Sequence, residues 1–365
     1  MASTLGSDAA QNLSDQPAAP IDLGADVHLI DTAMSGYSGI TAAYAILAER
    51  PALVETGTAT SAPVVVEALA GLGIGPQDLA TIVVTHIHLD HAGGVGDLAA
   101  AFPKARIVVQ DSGARHLADP AKLMASARRV FGPAMDTLFG ELLPTPAERI
   151  ESIDAVGRID LGGGRYLEAH HTPGHARHHL GLVDSATGDL YVGDAAGIYV
   201  PPAHADPRTG LAPSELVAAA GSRSGTLLPG TPPPEFDLDL ALHSLGRFEE
   251  LAATRLLFSH YGPIVDVAES LDRARAELRL WVGLVRDAIT EQRGPAGANT
   301  AESAAFDLDH AVAMVRDRTR ERYAALLAEP QVAAKFEELS STAANVSGIA
   351  RWLDKQEKAA LEAEK

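Results

Sequence analysis

The chain has 365 residues, 46% of them hydrophobic, and its 48 acidic and 29 basic residues give a formal net charge of −19. This charge repels phosphate backbones and anionic membranes, so it argues against nucleic acid and membrane partners. The sequence contains no cysteine, which excludes disulfides, thiolate metal ligands and a cysteine nucleophile. The length allows two ordinary domains, or one large domain with an extension.

The N-terminal residues 1–24 are rich in Ser, Ala, Asp and Pro, a composition typical of a disordered tail. They lack a basic start followed by an apolar run, so we expect no secretory signal. No run reaches the roughly 18 consecutive apolar residues that a membrane span requires. We therefore expect a soluble, cytoplasmic protein.

Residues 25–291 are predicted to form one domain in which short buried strands alternate with helices. Apolar runs rich in β-branched residues indicate strands at 27–31, 79–86, 105–110, 165–171, 178–184, 189–194 and 254–260. Apolar residues at helical spacing indicate helices at 61–72, 96–102, most of 111–147, about 237–252 and about 266–291. This alternation predicts an α/β fold in which helices cover the sheets.

Two segments rich in Gly and Pro divide the second half of the chain. Residues 200–234 are predicted as a long loop, and loops of that length are often functional. The segment 292–303, "QRGPAGANTAES", is predicted as a domain boundary, and 292–365 as a helical C-terminal extension. The amphipathic helices of the extension could cover the site, pack on the rest of the chain or form a homodimer, and we expect packing or a homodimer.

The stretch "THIHLDHAGG" places four metal-ligand side chains in six positions directly after a predicted strand: His86, His88, Asp90 and His91. In an extended backbone His86 and His88 point the same way, and the other two follow on a tightening loop. Imidazole and carboxylate are the expected metal ligands where thiolate is absent. The two pairs can therefore face two neighbouring points, as in a two-metal site.

Further candidate ligands follow later strands. The stretch "HTPGHARHH" contains His171, His175, His178 and His179, of which His171 is more simply a strand-end residue. Asp194 follows the strand 189–193, and His260 follows the strand 254–258. Loops at strand ends on one rim of a rigid scaffold are where proteins position chemistry. We expect these side chains to join the first motif.

The motifs "HIHLDH", "TPGH", "VGD" and "SHYG", in this order within residues 25–290, resemble the metallo-β-lactamase-fold hydrolase superfamily, its glyoxalase-II-like and lactonase-like members in particular. The resemblance implies a four-layer αββα sandwich. It also implies two divalent cations, zinc as the first choice and iron or manganese as alternatives. The ligands it implies are His86, His88 and His175 for one cation, Asp90, His91 and His260 for the other, and Asp194 for both.

The same resemblance implies a reaction in which a hydroxide held between the cations attacks the carbonyl of a small-molecule ester, thioester or lactone. Asp90 would orient the hydroxide and carry a proton to the leaving group. Tyr261 is a candidate hydrogen-bond donor to the substrate or else a packed tyrosine, and His179 is a candidate supporting residue. The family often has "DTG" where this chain has "ETG", so we expect Glu55 to support a ligand histidine.

Two other activities of the same fold stay open. A persulfide-dioxygenase-like oxidoreductase would bind one iron through His86, His175 and Asp194. A phosphodiesterase is the second alternative, although the charge of −19 argues against a nucleic acid substrate. The regions 111–147 and 200–234 are placed to wall a pocket, but neither contains a recognisable Arg and Lys cluster for glutathione.

Overall fold

The computed structural model describes residues 19–201, 225–293, 306–339 and 341–363. Most of the predicted tail, the middle of the predicted long loop and nearly all of the predicted boundary segment lie outside these residues. The end of the predicted tail is already structured, because Ile21–Asp22 pair with the next strand. Among the described residues, no helix is both long and apolar enough to cross a bilayer.

Seven strands of the described chain form a first sheet in sequence order: β1 (Ile21–Asp22), β2 (Val27–Asp31), β3 (Ala42–Ile46), β4 (Ala52–Val54), β5 (Thr81–Val83), β6 (Arg106–Gln110) and β7 (Ile150–Ile153). The pairs from β1 to β4 are antiparallel. The pairs from β4 to β7 are parallel, and helices connect these strands. The carboxyl ends of the parallel strands therefore open onto one edge of the sheet.

The later described strands are β8 (Val156–Asp160), β9 (Tyr166–His171), β10 (Leu180–Asp184), β11 (Asp189–Gly193), β12 (Ile198–Val200), β13 (Thr226–Leu228), β14 (Arg255–Phe258) and β15 (Gly262–Ile264). Six of them form a second sheet in the order β15–β14–β11–β10–β9–β8, and β12 pairs with β13 in a separate ribbon. The pair β11–β14 is parallel, so both strands end at the same edge of this sheet.

The described helices before the ribbon are α1 (Ala62–Gly71), α2 (Leu89–Ala92), α3 (Val95–Ala101), α4 (Asp111–Ala118), α5 (Ala121–Phe131) and α6 (Met135–Leu138). The later ones are α7 (Leu238–Glu250), α8 (Val267–Arg293), α9 (Leu308–Thr319), α10 (Ala324–Leu327), α11 (Pro330–Leu339) and α12 (Thr342–Ala363). The sequence had indicated helix through most of 111–147, and α4, α5 and α6 lie there.

Alternation of side chains along the strands sends successive residues into two different cores. In β3, Tyr44 packs between the two sheets, whereas Ala43 and Ala45 pack against the helices that cover the first sheet. Leu190 and Val192 of β11 pack against the helices that cover the second sheet. The chain is therefore the four-layer αββα sandwich that the motifs predicted.

The described helices of the C-terminal extension pack on α8. The indole Nε1 of Trp281 in α8 donates a 2.7 Å hydrogen bond to Tyr323 Oη, and this hydroxyl donates a 2.6 Å bond to Glu277 Oε2. Val315 of α9 and Ile349 of α12 are buried in the same apolar core as Trp281. The extension thus buries its apolar positions against the scaffold, one of the two arrangements that its amphipathic pattern predicted.

Candidate metal centre

The motif "THIHLDHAGG" forms the turn from β5 into the short helix α2. His88 has an extended backbone and directly precedes α2, so Asp90 and His91 lie in the single turn of that helix. Gly94 brings the next turn close to a neighbouring loop: its N–H donates to Gly57 O, and a Cβ there would lie 3.0 Å from Thr56 O. The motif therefore turns from strand to helix while its four polar side chains stay on one side.

His86, His88 and His175, the first triad, have ring nitrogens within 4.8 Å of one another. His88 Nδ1 lies 3.1 Å from His86 Nε2 and 2.9 Å from His175 Nε2. The other nitrogen of His175 donates to Gly230 O at 2.9 Å, which leaves its Nε2 with a free lone pair that faces the triad. The first triad is therefore a converging set of nitrogen ligands.

Asp90, His91 and His260, the second triad, also have ligand atoms within 4.8 Å of one another. Asp90 Oδ2 lies 3.2 Å from His260 Nε2 and 3.5 Å from His91 Nε2. His260 Nδ1 donates to Ile40 O at 3.0 Å, so this ring also turns an acceptor nitrogen towards its neighbours.

Asp194, directly after β11, lies between the two triads. Its Oδ1 is 3.4 Å from His91 Nε2, and its Oδ2 is 3.6 Å from His175 Nε2 and 3.7 Å from His260 Nε2. The structure thus brings together all seven side chains that the sequence proposed as ligands. They come from the ends of β5, β9, β11 and β14, which explains how positions 86 to 260 meet at one point.

Burial and mutual charge set the protonation of the cluster. Burial lowers the pKa of His88 and His175 to about 4, so both rings are neutral at pH 7. For His91, burial lowers the pKa, but the charges of Asp194 and Asp90 outweigh burial and raise it well above its ordinary value. Burial raises the pKa of the two carboxyl groups, but His91 and its neighbours outweigh it, and both values fall below the ordinary range.

The arrangement fits divalent cations. His91 Nε2 and Asp194 Oδ1 are buried without a hydrogen-bond partner, and the atoms that face them are ring nitrogens and carboxylate oxygens, the atom types that bind a divalent cation. Ligands 2.0–2.1 Å from a tetrahedral zinc lie about 3.3 Å apart, close to the separations of 2.9 to 3.7 Å seen across the cluster. Such His and Asp ligands accept zinc, iron and manganese.

The family model of the metallo-beta-lactamase superfamily matches residues 37–260. The chain belongs to the metallo-β-lactamase superfamily. It is 30% identical over 185 residues to the metallo-beta-lactamase fold-containing protein ST1585 of Sulfurisphaera tokodaii, a match that covers 50% of this chain and 60% of that protein. It is 39% identical over 74 residues to human metallo-beta-lactamase domain-containing protein 1, covering 20% of this chain and 26% of the human one.

Solved structures of two superfamily proteins share the fold. ST1585 from Sulfolobus tokodaii superposes with a TM-score of 0.56 and 19% identity, over 90% of this chain and 99% of that chain. TTHA1429 from Thermus thermophilus superposes with a TM-score of 0.55 and 20% identity, over 87% and 89% of the two chains. These likenesses confirm the metallo-β-lactamase fold that the motif order predicted.

In this superfamily member, Glu55 lies where the sequence expected a supporting carboxylate. Its side chain is buried, and Oε1 lies 3.6 Å from His91 Nδ1. The same oxygen accepts hydrogen bonds from Thr85 Oγ1 at 2.5 Å and Ser259 Oγ at 3.0 Å. An acceptor on the Nδ1 side of His91 favours the tautomer whose Nε2 is free to bind a cation.

The structure places the two other proposed site residues away from the cavity. His179 is fully buried behind Asp194, where its Nε2 accepts the Asp194 backbone N–H at 3.2 Å while Nδ1 bonds Thr172 Oγ1 at 2.9 Å. These contacts connect His179 to the backbone of Asp194 and not to the cavity. Tyr261 packs in the core between the two sheets and does not line the cavity over the triads. Of its two sequence-based interpretations, the packed tyrosine matches this placement.

A cavity of about 420 Å³ lies over both triads. Helices α4 and α5 form one wall, as the sequence indicated for the region 111–147, and Pro232 and Pro233 form part of another. The extension also contributes, because Ser341, Ala344 and Asn345 line the same cavity. Coverage of the site was one of the three arrangements considered for the extension, although packing or dimerisation was favoured.

His178, another candidate ligand of the stretch "HTPGHARHH", lines the cavity but belongs to neither triad. Its Nδ1 accepts the backbone N–H of Ile87 at 3.3 Å, and its Nε2 lies 3.4 Å from Glu235 Oε2. The ring stacks on His86 with centroids 6.2 Å apart. The histidine-rich stretch "HARHH" was the available signal, but local spacing does not distinguish which of its rings face a cavity.

Proposed function

We propose that this chain is a dinuclear metal-dependent hydrolase that cleaves an ester, thioester or lactone of a small molecule. The observation that supports the proposal is the pair of buried triads with Asp194 between them. One triad alone is sufficient for a single cation. Two adjacent triads with a shared carboxylate are the ligand set that a two-metal hydrolytic site requires.

In this proposal the first triad holds one cation, the second triad holds the other, and Asp194 serves both. Two divalent cations bound there would lower the pKa of water towards neutrality and offer positive charge to a developing oxyanion. Zinc is our first choice, and iron or manganese suits the same donors.

Asp90 is the residue we propose to move the proton. Its carboxylate is partly exposed and lines the cavity, whereas His91 beside it is buried. Burial raises the pKa of Asp90, but His91 and His260 outweigh burial and lower it, so the carboxylate is ionised at neutral pH. An ionised oxygen at the cavity surface can accept a proton from water and pass it to the leaving group.

The oxidoreductase alternative uses fewer of these residues. A single iron bound by His86, His175 and Asp194 leaves the second triad without a role. The phosphodiesterase alternative has the overall charge of −19 against it where the substrate is a nucleic acid. We therefore also propose a small-molecule substrate, and we keep the cytoplasm as the proposed compartment.

The test combines metal quantification with a substrate panel. Purified from a medium that supplies zinc, iron and manganese together, the chain should hold two metal ions and hydrolyse at least one of a set of thioesters, lactones and carboxylic esters. One iron per chain, together with oxygen uptake on addition of a persulfide, would overturn the proposal. Turnover confined to phosphodiesters would assign the chain to the second alternative.

A further inference from the structure

Helix α4 lies directly against the loop that carries the first triad. Gly113 makes this approach possible, because a Cβ there would lie 2.9 Å from Ile87 Cγ2 and 3.5 Å from His178 Cβ. The close contact brings the next turn of α4 to the side of the cavity, where Arg115 and His116 line it. The close packing at Gly113 therefore fixes the position of α4, and with it Arg115 and His116, relative to the two triads.

Two cationic side chains on this wall have no carboxylate partner among the described residues. Arg115 and Lys122 both line the cavity, and neither is within 4.0 Å of a carboxylate oxygen in the described part of the chain. Arg177 at the same cavity differs, because Glu235 binds its Nε at 3.0 Å and its Nη2 at 2.7 Å. On a chain with 48 acidic residues, two cationic side chains at one cavity wall with no ion pair to the described carboxylates require an explanation.

His116 lies close enough to Arg115 and Lys122 for their positive charges to act on it. Its Nε2 accepts a 3.2 Å hydrogen bond from Arg115 Nε. Burial lowers the pKa of His116, and Arg115 and Lys122 lower it further, although Glu235 opposes them. The ring is therefore neutral at pH 7 and does not offset the positive charge of Arg115 and Lys122.

An apolar stripe on α5 adjoins these cations. Leu123, Ala127, Val130 and Phe131 follow one another at helical spacing, and all four line the cavity. Val130 is 60% exposed, an unusual value for a valine on a cavity wall. The stripe offers apolar surface to an aliphatic chain, whose burial there would be favourable.

We propose that the cavity selects amphipathic substrates, in which an aliphatic chain joins the scissile ester or thioester to an anionic group. The stripe on α5 binds the chain, and Arg115 and Lys122 bind the anionic group. This inference rests on the proposed function, since it names the class of ester that the triads would cleave. It also accounts for a local positive wall on a strongly acidic protein.

The test compares two matched ester series. One contains mono-p-nitrophenyl esters of succinate, adipate and suberate, and the other contains the p-nitrophenyl esters of butanoate, hexanoate and octanoate. For at least one chain length, the metal-loaded protein should show a kcat/KM at least about tenfold higher for the carboxylate-tailed ester, the factor expected of one charge-assisted contact. The double variant Arg115→Gln/Lys122→Gln should lose this preference.

Arg129→Gln is the matched control, because Arg129 is exposed on α5 and does not line the cavity. It should retain both the wild-type activity and the wild-type preference. Arg115 and Lys122 are also exposed, so the double variant should unfold at the wild-type temperature. Equal kcat/KM for both series at every chain length, or a preference that survives in the double variant, would overturn the inference and leave the hydrolase proposal standing.

A binding measurement separates the inference from the proposed function. Monomethyl adipate and monomethyl suberate are titrated into the full chain, with and without metal, by calorimetry or ligand-observed NMR. The double variant should bind them at least about tenfold more weakly than the wild type and Arg129→Gln. Such a loss without ester hydrolysis would uphold the anion site and count against the proposed function. Equal binding by all three proteins would overturn the anion site.

Discussion

Asn345 of α12 is hydrogen-bonded to Thr231, which directly follows Gly230, the residue whose carbonyl oxygen orients His175. The amide N–H of Thr231 donates to Asn345 Oδ1 at 2.6 Å, and Thr231 Oγ1 donates to the same oxygen at 3.0 Å. Gly230 O in turn accepts from His175 Nδ1 at 2.9 Å. The C-terminal extension therefore reaches the first triad through two consecutive residues of one loop.

The first prediction concerns this connection. Asn345→Ala should lower the free energy of unfolding by about 1–3 kcal/mol, because it leaves the buried N–H of Thr231 without an acceptor, while Thr231 Oγ1 keeps only the Asn345 carbonyl oxygen at 3.2 Å. It should also weaken metal binding at the first triad, since the loop that orients His175 is no longer held. Urea denaturation and competition with a chromophoric chelator measure the two effects. Arg351→Ala, an exposed change on α12, is the control, and an unchanged metal affinity in Asn345→Ala would contradict the proposed coupling.

A second prediction tests the proton carrier. Asp90→Asn should reduce kcat by about 10²–10⁴-fold, the range that a positioned acid or base contributes. The fold should be unchanged by circular dichroism, because Asp90 is partly exposed at the cavity surface. Metal content measured on the same sample distinguishes loss of the proton carrier from loss of a cation. Glu67→Gln, on an exposed position of α1, should behave as the wild type, and an active Asp90→Asn protein would exclude this mechanism.

A third prediction concerns the pH dependence of metal loading. In the metal-free chain His88 and His175 have a pKa of about 4, so the first triad offers neutral rings well below pH 7. Asp194 and Asp90 raise the pKa of His91 and His260 against the effect of burial, so these rings retain protons to higher pH. A protonated ring must lose its proton before it can bind a cation. Raising the pH from about 6 to about 8 should therefore strengthen binding of the second equivalent of zinc much more than that of the first.

Calorimetric titration of the metal-free protein with zinc, in buffers of different ionisation enthalpy, measures this difference. The second equivalent should release more protons than the first at about pH 6, and the two should become similar as the pH rises. Two equivalents with the same proton release at every pH would show that the two triads do not differ in protonation.

A fourth prediction concerns Glu55. Glu55→Gln should weaken metal binding at the second triad by about 10–100-fold, as expected when an acidic partner of a ligand histidine is removed. It should also destabilise the fold, because with the amide oxygen on Thr85 Oγ1 and Ser259 Oγ its NH₂ group faces the Thr85 backbone N–H, which now points to Oε2 at 3.4 Å. Glu55→Asp retains the charge but shortens its reach, so its metal affinity should lie between the two. A metal affinity in Glu55→Gln equal to that of the wild type would show that Glu55 has only a structural role.

Much of the fold and the candidate ligand set could be read from local patterns. Buried strands such as β5 and β6 carry continuous β-branched runs, and each is followed by polar residues at its carboxyl end. The edge strands β7 and β8 were not predicted, because most of their residues are exposed and their apolar pattern is weak. The spacing of the four polar residues within "HIHLDH" is set by the chain itself, so these residues could be predicted as candidate ligands from the sequence.

The sequence by itself therefore determined the alternation of buried strands and helices and the ligand cluster of "HIHLDH", because strand periodicity and close spacing act over a few residues. The layered fold, the family and the full set of seven ligand candidates followed from the order of the motifs, through their resemblance to the superfamily. Only the tertiary structure decided that Tyr261 packs between the sheets, that Asn345 supports the loop beside His175, and that Arg115 joins Lys122 on one wall. Asn345 and Thr231 are separated by 114 positions, and no local pattern encodes such a contact. It arises because burial of apolar faces brings distant elements together, and burial is a property of the whole chain.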